Sequence, residues 1–288
     1  MLLQISEYMT NLLFDQISFR TSRLITKSYS TSFSFAASLL DKDHRDAIYA
    51  IYGFVRFADE IVDTFHDYPK EGLLNKFEVD LLQSIETGIS LNPVLHAFQM
   101  TVRKYRIPYN YIMDFLSSMR ADLIKKEYGN KQEADDYIYG SAEVVGLMCL
   151  CVFTDGDERE FNALKVPAMK LGSTFQKVNF LRDLKNDIEI LGRTYFSQVF
   201  SEGFNESTKK AIIGEVESEF EEAYSGIRQL PENTRLAVLT AYYYYRILLV
   251  KIKNTPADKI MNKRIRISNF SKVMLLLRAK VVCQFNLI

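Results

Sequence analysis

Between Asp46 and Asp63, the residues Ile48, Ile51, Val55, Ala58 and Val62 recur at spacings of three, four, three and four. That spacing lines them along one face of an α-helix. The same period predicts further helices over 71–88, 93–105, 109–127, 133–153, 168–190, 208–228, 232–253 and 268–285. Pro93, Pro167 and Pro231 suit first-turn positions of three of these, where a missing N–H costs nothing. Gly129-Asn130, Asp155-Gly156-Asp157 and Leu191-Gly192-Arg193 mark loops. No alternating strand run stands beside a hairpin signal, and no internal repeat or low-complexity linker interrupts the pattern. The expectation is an all-α fold of about ten helices in one domain spanning 1–288.

Composition agrees with that picture. The 12 Gly and 6 Pro in 288 residues are about half the usual share, so tight turns are few. The longest apolar stretch, Val144 to Phe153, is about half a bilayer span and reads as a buried helix. The opening MLLQISEYMT is broken by Glu7 and has no basic n-region, so no targeting segment is expected. Cys149 and Cys151 sit in an apolar run without a C-x-x-C pair, which reads as buried thiols in a reducing compartment. His44, His66 and His96 are scattered, so no histidine-based metal site is expected. With 36 Lys+Arg against 36 Asp+Glu, the chain lacks the basic excess of a nucleic-acid binder. A hydrophobic fraction of 48% excludes a disordered acidic protein. A cytoplasmic protein is expected, at most peripheral to a membrane.

The chemistry lies in aspartates spaced four apart, which point the same way from a helix. Chance would supply about one such pair from the 17 Asp present; the chain has Asp59/Asp63, Asp63/Asp67 and Asp183/Asp187. Tyr52, Arg56, Asp59 and Asp63 cluster within about 60° beside the apolar arc of their helix. Gln176, Asn179, Asp183 and Asp187 cluster within about 80° on a helix whose other sides carry Leu171, Phe175, Val178, Leu181, Leu184 and Ile188. Polar stripes on buried helices must line a cavity or be paired, because unpaired buried carboxylates are costly. Carboxylates with Asn and Gln are hard oxygen donors that suit Mg²⁺ or Mn²⁺ and not zinc. Mg²⁺ held by few carboxylates completes its shell with water and phosphate, and Arg56 stands one turn before Asp59 to hold phosphate oxygens. The alternative is a buried ion-pair network joining Arg56 and Arg182 to these acids.

The neighbouring residues resemble the squalene/phytoene synthase family of head-to-head isoprenoid condensing enzymes, over roughly residues 28 to 275. The most specific segment is LGSTFQKVNFLRDLKNDIEILGRTYFS, Leu171 to Ser197. It is similar to the family's L-G-x-x-x-Q-x-x-N-I-x-R-D-x-x-x-D followed by R-x-Y-x-P, with Phe180 for the usual Ile and Ser197 for the usual Pro. The run Tyr137 to Gly146 looks like a second signature, with Glu143 where many members have Gly. RFADEIVD and the upstream Tyr29-Ser30-Thr31-Ser32-Phe33 also match in order. The resemblance implies an all-α isoprenoid-synthase bundle around a central cavity. It implies that Asp59, Asp63, Asp183 and Asp187 hold Mg²⁺ against prenyl diphosphates. Tyr52, Arg56, Tyr139 and Tyr195 would lie near the diphosphates and reacting carbons. Ser30, Ser32, Phe33, Gln176, Asn179, Arg182, Tyr245 and Arg264 would contact substrate.

The implied reaction ionises one prenyl diphosphate, forms a cyclopropylcarbinyl diphosphate with a second, and rearranges it to a 1–1′ linked hydrocarbon. Length and the YGSAEVVGLM run look most like the bacterial phytoene-forming branch, so two geranylgeranyl diphosphates giving phytoene in carotenoid biosynthesis is the favoured expectation. The alternative is a C15 enzyme making squalene, hydroxysqualene or dehydrosqualene, with NADPH only for the squalene type. A reading from another class is a helical interaction protein, which would expose its aspartates and show no metal dependence. No nucleic-acid partner is expected and no oligomeric state is assigned. From Lys259 to Ile288 there are seven basic residues (Lys259, Lys263, Arg264, Arg266, Lys272, Arg278, Lys280) and no acid. Interleaved with Val273, Leu275, Leu276, Leu277, Val281 and Val282, they read either as a membrane-surface segment or as a terminal helix packed on the core.

Overall fold

The computed structural model describes residues 2–125, 127–262 and 264–285, with the side chains of 2–11 and Asn269 excepted. Met1 and Lys263, both part of the sequence reading, lie outside the described residues. The all-α expectation holds: among the described residues the only extended pairing is one isolated bridge, Glu127 to Thr194. The helices are α1 (Leu2–Tyr29), α2 (Thr31–Ala37), α3 (Lys42–Asp63), α4 (Lys70–Thr87), α5 (Pro93–Tyr105), α6 (Tyr109–Ile124), α7 (Lys131–Ile138), α8 (Val144–Phe153), α9 (Glu158–Glu189), α10 (Ser197–Glu202), α11 (Glu206–Ile227), α12 (Glu232–Lys253), α13 (Ala257–Ile260) and α14 (Asn269–Gln284). Between α7 and α8 runs a π-helical turn, Tyr139–Glu143.

Side-chain caps start the helices that place the site. The Asp41 carboxylate accepts from the Asp43 and His44 N–H groups and opens α3. Asp157 does the same at α9 through Glu160 N–H. Asn205 and Thr208 form a reciprocal capping box at α11. Pro93 stands at the first turn of α5 as expected. Pro231 instead precedes α12 as its N-cap. Pro167 departs further from expectation, lying inside α9, which begins at Glu158. A proline removes one backbone donor there, but its ring packs against Gly226 of α11, where any side chain would collide with it.

The α1 helix escaped the apolar pattern because its inward stripe is hydroxylic. Ser18, Ser22 and Thr26 are fully buried, and Ser18 and Thr26 donate to the carbonyls of Phe14 and Ser22, four residues back. Leu13, Ile17 and Leu24 face outward. Two apolar clusters form the core. One centres on Phe54, stacked on Phe98 at 4.1 Å and edge-on to Phe115 at 5.3 Å. The other joins α9, α11 and α12 through Leu181, Phe220 and Leu239. The stretch Lys131–Phe153 is long and apolar enough to cross a membrane, yet Val144, Leu147, Met148, Leu150 and Val152 are buried in the core. At the crossing of α9 with the π-helical turn, a Cβ on Gly172 would lie 2.6 Å from the Ala142 carbonyl oxygen. The glycine sets that close approach.

Candidate functional site

A cavity of about 570 Å³ lies between the two clusters. Its body is apolar, walled by Leu40, Ile51, Val145, Phe153, Leu164 and Leu230, among others. One end is polar. There α3 contributes Tyr52, Arg56, Asp59 and Asp63, and α9 contributes Gln176, Asn179, Arg182, Asp183 and Asp187. The two stripes read from helical periodicity therefore face one space. Ser30 and Phe33, Tyr195 after α9, Tyr245 on α12 and Arg264 before α14 also line it.

Local structure explains each placement. Ser30 caps α2 by accepting from Phe33 N–H at 3.3 Å. Phe33 stacks on Tyr52 at 4.9 Å. Burial pushes the Tyr52 hydroxyl up to about 12, so it stays a neutral donor. Tyr245 donates to Asn179 Oδ1 at 3.3 Å and stacks on Phe175 at 3.9 Å. Tyr195 stacks on Phe180 at 3.9 Å. The Arg56 guanidinium lies 4.3 Å over the Tyr29 ring. Its side chain pairs with Glu60, and its Nε is buried without a partner.

Each aspartate pair is divided in the same way. Asp63 accepts from Arg193 Nη1 at 2.6 Å. Asp59 is raised to about 8, first by burial and then by the neighbouring Asp63 charge. Asp183 accepts from Arg182 Nη2 at 2.5 Å and lies 2.7 Å from Arg264 Nε. Asp187 is raised to about 7 by burial, then by Asp183 and Asp63. Mutual repulsion across the mouth reflects a surplus of negative charge. These are oxygen donors of the kind that Mg²⁺ or Mn²⁺ takes. Among the described residues no three His, Cys, Asp or Glu side chains converge into a ready-made cage.

Two expected residues lie elsewhere. Tyr139 is not in this cavity; it lines a separate polar pocket of about 370 Å³ and donates to Asp114 Oδ2 at 3.3 Å. Tyr137, two residues earlier and so about 200° away around the helix, lines the cavity instead. Ser32 is half-buried and does not line the cavity, because its turn of α2 presents Ser30 and Phe33.

Three lining residues had no assigned role. Tyr137 donates to Asp122 Oδ2 at 2.8 Å. Arg193 donates to the Asp122 carbonyl at 3.0 Å as well as to Asp63. Burial raises the Asp122 carboxyl to about 7, with Arg193 working against that rise. Its signal in the sequence is an acid on the buried face of α6, in register with Phe115, Ser118 and Met119. Arg193 was visible as the first residue of the R-x-Y segment.

The family model described as squalene/phytoene synthase matches residues 26–271. Phytoene synthase of Arthrospira platensis is 28% identical over 294 residues, covering 92% of this chain and 94% of that protein. The 4,4'-diapophytoene synthase of Staphylococcus haemolyticus is 25% identical over 267 residues, covering 86% of this chain and 91% of that protein. Among solved structures, a dehydrosqualene synthase in complex with ligand superposes with a TM-score of 0.81 at 25% identity, over 94% of this chain and 98% of that one.

Proposed function

The chain belongs to the squalene/phytoene synthase family, and on that premise we propose that it joins two geranylgeranyl diphosphates head to head to give phytoene. The carrying observation is the single cavity with an apolar body and two facing aspartate pairs at one end. The apolar body suits prenyl tails. Arg56, Arg182 and Arg264, which line the polar end, would bind diphosphate oxygens through their planar forks. Asp59, Asp63, Asp183 and Asp187 would hold Mg²⁺, with Mn²⁺ as a substitute. Once bound, the ion supplies positive charge to the departing pyrophosphate.

The remaining roles belong to the chain itself. Ionisation breaks the C1–O bond of one substrate, and the resulting cation is attacked by the C2=C3 bond of the other. Loss of a proton then closes the cyclopropane. The rings of Tyr52, Phe33, Tyr195 and Tyr245 present negative faces that stabilise the cation without adding to it. The walls of Leu, Ile, Val and Phe exclude water, which would trap it as an alcohol.

A second reading, a C15 enzyme, is favoured by the likeness to the dehydrosqualene synthase structure. Incubation with Mg²⁺ and either C20 or C15 diphosphate, with and without NADPH, separates the two by the hydrocarbon formed. Asp59→Ala and Asp183→Ala should each lower turnover by about a hundredfold or more. Full activity in both would overturn the metal–diphosphate reading.

A further inference from the structure

We propose that α14 is an interfacial helix that docks the protein on an anionic lipid bilayer. Phe270, Val273, Met274, Leu277, Val281 and Phe285 are all exposed, Phe270 by 75% and Phe285 by 65%. At 100° per residue they share an arc of about 120°. The opposite side of the helix is already used: Leu275 and Ala279 are buried, and α14 packs on α12. A surface helix ordinarily turns polar residues to solvent; this one packs one apolar face and shows another.

Charge identifies what covers the outer face. Arg278 and Lys280 flank the apolar arc, one on each side, at about 80° from its centre. Arg266 adds an exposed charge just before the helix, and no acid occurs from Lys259 onward. Two copies meeting through this face would set cations against cations. A layer of anionic headgroups neutralises them, while the Arg and Lys stems let the apolar side chains enter the acyl boundary.

The helix is also fixed beside the mouth of the cavity. Lys272 donates to Thr31 Oγ1 at 3.1 Å, next to Ser30 in the cavity wall. Arg264, four residues before the α14 cap, reaches Asp183. A bilayer on this face would adjoin the entrance, where prenyl substrates and a hydrocarbon product exchange with lipid. That last step rests on the proposed function; the docking itself does not.

The test is co-sedimentation of the full chain with vesicles of phosphatidylcholine alone or with about 30% phosphatidylglycerol, without substrate. Binding to the anionic vesicles is expected to be at least about tenfold tighter, and to weaken as salt screens the headgroups. The double variant Leu277→Glu/Val281→Glu should lose about tenfold or more of that binding, with unchanged thermal unfolding and unchanged turnover of detergent-dispersed substrate. Lys280→Glu, a milder exposed change, should lose part of it and serves if the double variant does not fold. Binding that ignores lipid charge and salt overturns the proposal. So does unaltered binding by the variants, or a dimer that the double variant disperses, which would give the face to a second copy. Because no substrate is present, a failure here leaves the condensation reading untouched, and a failed condensation assay leaves docking untouched.

Discussion

Replacing Gly172 by alanine tests whether the crossing of α9 with the π-helical turn sets the cavity. The added methyl would lie 2.6 Å from the Ala142 carbonyl oxygen and 3.1 Å from both the Ala142 carbonyl carbon and Glu143 Cα. All three are backbone atoms, so no rotamer change clears them, and the two segments must part by several tenths of an ångström. Overpacking of this kind costs about 1–3 kcal/mol. Removing a glycine from a helix interior returns up to about 1 kcal/mol. The expected net is a loss of about 1–2 kcal/mol, or a fall of about 2–8 °C in Tm for a chain of this size. Gln176 and Asn179 lie one and two turns further along α9, so the shift also moves them relative to the α3 carboxylates. Turnover should fall by about tenfold to a hundredfold. Gly214 on α11 is the internal control, since nothing lies within 4 Å of its added Cβ; Gly214→Ala should gain up to about 1 kcal/mol. Denaturant unfolding and product formation measure both variants. A Gly172→Ala protein as stable as Gly214→Ala, with unaltered turnover, would refute the reasoning.

Tyr139→Phe should leave turnover within about twofold of the parent, whereas Tyr137→Phe should cost about 1–3 kcal/mol by stripping a buried hydrogen bond from Asp122; a large kinetic effect of Tyr139→Phe would return that residue to the site. Arg193→Met leaves Asp63 and Asp122 without their cation and should cost about 3–5 kcal/mol above pH 8. The cost should shrink at pH 6, where Asp122, already raised to about 7 with Arg193 present, takes up a proton; a cost that is flat with pH speaks against this account. Glu143 is raised from 4.5 to about 7, chiefly by burial, with Lys170 opposing. A carboxyl raised on folding stabilises most below its unfolded value and loses that contribution as pH climbs to the folded one. Glu143→Gln should therefore match the parent at pH 4.5, gain on it up to about pH 7 and hold the gain above; equal unfolding midpoints at pH 5 and pH 8 would contradict it.

What the sequence made legible was whatever helical periodicity controls. The stripes Tyr52–Asp63 and Gln176–Asp187 lie on unbroken helices, so 100° per residue fixes their direction before any tertiary contact is known. The errors fall where the helix is irregular or where the contact is distant. Tyr139 came from the family resemblance and not from periodicity, and it is Tyr137, two residues earlier, that lines the cavity. Pro167 obeys no local rule, because what accommodates its ring is Gly226, far along the chain on α11. The α1 helix hides hydroxyls where the apolar period looks for aliphatics. Arg193 and Asp122 meet across 71 residues, a distance that pattern within one helix does not span.

The contacts of the arginines also bear on two explanations that the bare pattern left open, a structural ion-pair network and a ligand site. A network built only for stability should satisfy its buried acids and bases, since each one left unpaired is costly. Here the arginine pairing is uneven. Asp63 has Arg193, and Asp183 has Arg182 and Arg264. Their partners one turn away, Asp59 and Asp187, stay raised to about 8 and about 7. Arg56 turns to Glu60 instead of the aspartates, and its Nε remains buried without an acceptor in the wall of the same cavity. Surplus acid beside an unfilled guanidinium donor is a poor arrangement for stability alone. The ligand proposed above, a metal-bridged diphosphate, would bring both a cation for the acids and anionic oxygens for the arginine.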